Sequence, residues 1–64
     1  MPIDMRDYKM IVEDKVYNVL QVVVCIDFNN GQEIKVIDAA YLDENGMVQL
    51  MRDEASKFQF VKRI

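Results

Sequence analysis

Apolar and polar positions alternate with a period of two along most of this chain, and three polar marks cut the alternation into runs. NNG at 29–31 and DENG at 43–46 each end in Asn-Gly. That pair is the strongest short signal for a tight hairpin turn, because both central positions can take φ > 0. A weaker mark, EDK at 13–15, lies between two apolar runs. In the first run Tyr8, Met10 and Val12 share a face, while Lys9 and Glu13 point away with Ile11 between them. The second run, Val16 to Phe28, places Leu20, Val22, Val24, Ile26 and Phe28 on one wholly apolar face. On its other face Gln21 and Asp27 flank Val23 and Cys25. The third run, Glu33 to Leu42, begins with Ile34 and Val36 on one face and then changes sides. Ile37, Ala39 and Tyr41 face in and Asp38 faces out, as a bulge or sharp bend would produce. MVQLM (47–51) and FQFV (58–61) are the fourth and fifth runs, and RDEASK (52–57) between them suits a short turn or one helical turn.

Val, Ile, Tyr and Phe dominate these runs, as strands prefer. An amphipathic helix of three turns would carry several charges on its apolar side. The pattern therefore predicts an all-β chain with a single domain over 1–64 and an irregular N-terminus over 1–6. Five short strands form a meander, either a small SH3-like (or OB-like) barrel or a strongly bent sheet. The stretch LQVVVCIDF (20–28) then poses a question of cover, because from Val22 to Ile26 it is apolar on both sides. In a small barrel a long bent strand serves both halves of the sheet and meets core on more than one side. Otherwise Val23 and Cys25 pack against a second copy or another protein.

Composition sharpens that choice. A chain of 64 residues buries only about 60% of the surface its unfolded form exposes, so its core leaves a thin margin. The single cysteine excludes an intrachain disulfide, and with no histidine a structural zinc site lacks ligands. The hydrophobic content of 52% is high for so small a chain and points to subunit association, with a dimer as the expected state. A net charge of −3 disfavours binding to phosphate backbones or anionic lipid. No run approaches the length of a membrane span, and MPIDMRDYK is not a signal peptide. The lone, reduced cysteine fits the cytoplasm.

Catalysis finds little to work with. No histidine is present for proton transfer, and Cys25 sits in an apolar run without a basic partner. Ser56 is the only serine and falls in a turn-like segment. Asp27 and Asp38 are close across the 29–32 turn, but a pair of carboxylates does acid–base work only in a desolvated cleft. DFNNGQE (27–33) departs from the calcium-loop pattern, with Gly31 at the third ligand position, and reads as a hairpin turn. The expected protein is thus not an enzyme and needs no cofactor and no metal.

Binding residues are better represented. Acids recur at turns and ends, and the candidate protein-binding surface joins an apolar patch to them. The patch is Val23 with Cys25, or Tyr17 with Tyr41, and the acids are Asp43, Glu44, Asp53 and Glu54. An alternative is a single-strand nucleic-acid platform of Phe58 and Phe60 interleaved with Lys57, Lys62 and Arg63. Two phenylalanines at alternating positions are more simply core, so nucleic acid is the lesser expectation. A third is a structural, self-associating subunit.

The layout YKMIVEDKVYNVLQVVVCIDF…GQEIKVIDAAYLDENGMVQLM resembles, in length, charge and patterning, the small acidic β-rich accessory proteins of phages and mobile elements of Gram-positive bacteria. Some of those inhibit host defence systems, including CRISPR and other immunity enzymes. The likeness spans most of the chain and has no signature motif, so no functional residue carries over. It implies a protein that acts by binding, such as by docking on a host defence enzyme.

Overall fold

Turn chemistry and β-branched runs place the strands. The structure is a computed structural model that describes all residues, Met1–Ile64. It holds β1 (Ile3–Asp4), β2 (Tyr8–Val12), β3 (Lys15–Asn29), β4 (Gln32–Leu42), β5 (Val48–Glu54) and β6 (Phe58–Lys62), with one 3₁₀ turn at Ala55–Lys57. Every pairing is antiparallel. The order across the sheet is β5-β4-β3-β2-β6, and β1 pairs with β3. The chain is all-β, as the pattern predicts, and its single sheet is open, because β5 and β6 at its two ends do not pair.

Each polar mark is a turn with left-handed residues. Asn30 (φ 52°) and Gly31 (φ 79°) form a two-residue loop between Asn29 and Gln32. Glu13 (φ 50°) and Asp14 (φ 65°) do the same between Val12 and Lys15, so EDK is as tight a turn as NNG despite lacking glycine. At DENG, Gly46 (φ 76°) closes a longer loop in which its N–H bonds the Asp43 carbonyl at 3.0 Å.

Five expectations need correction, and the first is the strand count, since β1 makes six strands where the pattern predicts five. The register shift lies in β3, between Val19 and Gln21, and β4 runs through Val36 and Ile37 without one. Leu20 is the extra residue, so the inward face of β3 passes from Tyr17 and Val19 to Val22 and is not one even-numbered row from Leu20 to Phe28. Ile34 and Val36 belong to the second face of β4, beside Asp38, and Ile37, Ala39 and Tyr41 to the first. The segment 1–6 is not irregular throughout, since Ile3 and Asp4 pair with Val22 and Gln21. RDEASK is not all turn, since β5 runs on to Glu54.

The core gathers Met10, Val12, Val19, Val22, Ile37 and Ala39, with Tyr8, Tyr17, Tyr41, Met51, Phe58 and Phe60 packed around it. It sits where β2, β3, β4 and β6 meet, at one end of a molecule measuring 38 × 20 × 20 Å. Beyond it the β3–β4 hairpin continues as a ribbon. On the outer edge of β3, β2 takes Lys15 to Tyr17 and β1 takes Gln21 and Val22, and no strand follows. On β4, β5 takes Val36 to Leu42 and leaves Gln32 to Lys35 bare.

Candidate protein-binding surface

The ribbon's two faces differ sharply. On the first, exposure climbs outward from Val22 (4%) through Val24 (48%) and Ile26 (59%) to Phe28 (68%). On the second, Val23, Cys25 and Asp27 face Asp38, Val36 and Ile34. Arg52 on β5 is paired with Asp38 and grips both its carboxylate oxygens through Nη1, at 3.1 and 2.9 Å. Its Nη2 also lies 3.6 Å from the Asp27 carboxylate on β3, so the arginine arm crosses β4. The Cys25 thiol donates to Asp38 at 3.6 Å. This polar strap is what covers the second side of LQVVVCIDF, and beneath it Val36 is buried at 7% exposure. Asp27 and Asp38 do share a face, but an arginine stands between them, so they are an ion-pair network and not an acid–base dyad.

A second surface opens where β3 and β4 diverge. Their pairing begins at Asn18 with Leu42, and the strands part on either side of a groove of about 480 Å³. Tyr17, Tyr41, Asp43 and Glu44 all line it, together with Val16 and Leu42. The two tyrosine rings meet edge-on, with centroids 4.8 Å apart and planes at 69°. Both are half-buried against the core, which fixes them rigidly. Leu42 pairs with Val48 and Ala40 with Leu50, and these β5 residues stand 59% and 82% exposed. They lie on the face opposite Tyr41, whose partner is Gln49, and the exposed apolar residue of the groove itself is Val16, at 62%.

Asp43 does structural work at the rim of that groove. Its Oδ1 accepts the N–H groups of Asn45 and Met47, both at 2.9 Å, and its Oδ2 accepts the Gln49 amide at 2.9 Å. The Gln49 bond first, then the Met47 N–H, hold its carboxyl below the ordinary value. Glu44 carries its charge with no ion pair. Asp53 and Glu54 are elsewhere. They end β5 beside Asp27, Phe28, Ile34 and Arg52, and Asp53 pairs with Lys57 at 3.5 Å.

The eight candidate residues thus separate into two places. Tyr17, Tyr41, Asp43 and Glu44 share the groove, while Val23, Cys25, Asp53 and Glu54 lie about the strap. The sequence reading left out the exposed residues Val16 in the groove, Val48 and Leu50 on the opposite face of β5, and Val24, Ile26 and Phe28 along the ribbon. One available signal for the ribbon was length, because a strand running to Phe28 outreaches what so small a core can cover.

The alternative basic–aromatic set is engaged inward. Phe58 and Phe60 stack, with centroids 6.2 Å apart and planes at 9°, and both pack on the core cluster. Lys57 is held by Asp53, and Arg63 donates to the Tyr8 carbonyl and to Asn18 Oδ1, while Lys62 stays exposed. No three His, Cys, Asp or Glu side chains converge as metal ligands, and no helix is long and apolar enough to cross a membrane. No protein-family model, curated protein or solved structure matches this chain.

Proposed function

We propose that this chain is a non-enzymatic protein-binding module of the cytoplasm, and that its partner sits in the groove between β3 and β4. The carrying observation is the groove itself. It sets the edge-on pair Tyr17 and Tyr41 beside Leu42 and Val16, the latter 62% exposed, and its rim carries Asp43 and Glu44 against the single cation Lys15. Apolar surface ringed by polar residues marks an interface, and tyrosine anchors dominate interface energies. The acids favour a partner with a basic surface and speed its approach. The resemblance to phage and mobile-element accessory proteins supports a host protein, such as a defence enzyme, as that partner. The non-enzymatic reading rests on missing side chains, with no histidine and a lone serine in the 3₁₀ turn.

The strand order supports an SH3-like arrangement over an OB-like one. Each of β2, β3 and β4 pairs with the next strand in sequence, and the last strand returns to β2, whereas an OB fold is a Greek key.

The test is a tagged pull-down from bacterial lysate with wild type and with Val16→Lys. Val16 lines the groove and is 62% exposed, so the substitution leaves folding intact. Wild type is expected to retain one stoichiometric protein, and the variant to lose at least tenfold of it. Equal retention by the two, or an eluate absorbing as nucleic acid, overturns the reading.

A further inference from the structure

We propose that the bare edge of β3 is a homodimer interface, where two copies join their ribbons antiparallel about a twofold axis at Ile26. The edge is free because β1 pairs no further along β3 than Val22. A two-residue loop makes Asn29 and Gln32 a hydrogen-bonded pair. By the antiparallel alternation, odd residues of this half of β3 turn their backbone groups to β4. Val24, Ile26 and Phe28 turn theirs outward, with nothing beside them.

Proteins guard such edges with lysine, proline or a bulge. From Val23 to Asn29 there is none of these, and the one charge, Asp27, lies beside Arg52. The same three residues whose backbone is unpaired carry the exposed apolar row, and Ile3 (48%) continues it. On β4 the same face carries Lys35 opposite Ile26 and Glu33 opposite Phe28, so the apolar row is confined to the β3 edge. A two-stranded ribbon is marginal by itself, and only 7 of 64 residues in this chain are buried.

A second copy is the occupant that matches this edge, because the edge is its own complement. The outward residues are centred on Ile26. A twofold there sets Ile26 opposite Ile26 of the second copy, and Val24 opposite Phe28. Every outward N–H and C=O then finds a partner. The side chains form aromatic–β-branched pairs, the favourable kind. On the other face Cys25 meets Asp27 of the second copy, so no like charges are opposed. With three outward residues from each copy, the contact is smaller than the roughly 800 Å² per partner of a standard interface, so the dimer belongs with weak, concentration-dependent associations.

This surface is separate from the groove, and the experiment uses the purified chain alone. Sedimentation from about 1 µM to about 1 mM is expected to show mass rising to twice the 7.5 kDa of the chain. Ile26→Lys, at a 59% exposed site, is expected to stay monomeric with its melting unchanged. Register is read by oxidation in a Cys25→Ser background. Opposed Cα atoms in a hydrogen-bonded pair lie about 5.5 Å apart, within disulfide reach. Ile26→Cys is expected to cross-link to itself. Val24→Cys cross-links only when mixed with Phe28→Cys, and Asn45→Cys in the distant turn does not. A monomer at every concentration, or cross-linking at Asn45→Cys equal to that at Ile26→Cys, overturns the dimer. Either result leaves the groove reading standing, because loss of the lysate partner is scored on Val16→Lys and not on the ribbon.

Discussion

Single side chains in this protein hold turns and straps more than they hold chemistry, and Asp43 shows how that limits its use as a binding residue. Its two oxygens accept three hydrogen bonds within its own loop. Reversing its charge would unmake the loop, so Glu44 is the acid on that rim that can be altered cleanly. Because the folded pKa of Asp43 is depressed, its contribution to stability is complete above the unfolded value near 3.9. It is lost as pH falls through the lower folded value. Asp4 acts with the same sign, held down to about 2 by the Arg6 guanidinium and then by the Arg6 backbone N–H. Asp43→Asn keeps an Oδ1 acceptor for Asn45 and Met47 and loses the Gln49 bond. Melting from about pH 7 to about pH 2 should find the variant less stable at neutrality, with the gap to wild type closing below about pH 4. A gap constant over that range would contradict the assignment.

Elements were largely legible in the sequence, and the exceptions have physical causes. Asn-Gly at 29–31 and 43–46 marks turns because local chemistry alone sets them, whereas Glu13 and Asp14 hold left-handed angles that the pairing of β2 with β3 imposes. Asp14→Gly relieves one such residue. It is expected to raise stability by about 1 kcal/mol, and so the melting midpoint by about 4–8 °C for a domain of this size. An unchanged or lower midpoint would show that the turn bears no strain. The bulge at Leu20 was misplaced because VLQVVVCI is rich in apolar residues in both alternating frames, so the pattern does not register where the inward face switches. The strap was invisible for a related reason. That Arg52 lies over Asp38 and Asp27 depends on the register of three strands, which no local pattern encodes.

At the scale of the whole molecule, a small core supports two apolar surfaces it cannot cover, the groove and the ribbon edge of β3. Half of the candidate site was readable, because aromatic residues and acids advertise themselves by type. The other half, Val16 and the ribbon row, was not, because an exposed valine and a buried one look alike in a strand pattern. Solubility and specificity therefore depend on what meets these surfaces. Amide hydrogen exchange on the captured complex, compared with the chain alone, tests the central claim most directly. The account predicts new protection over Lys15–Asn18 and Tyr41–Glu44, the two walls of the groove. Protection confined to 57–63, or no change at the groove, would contradict it.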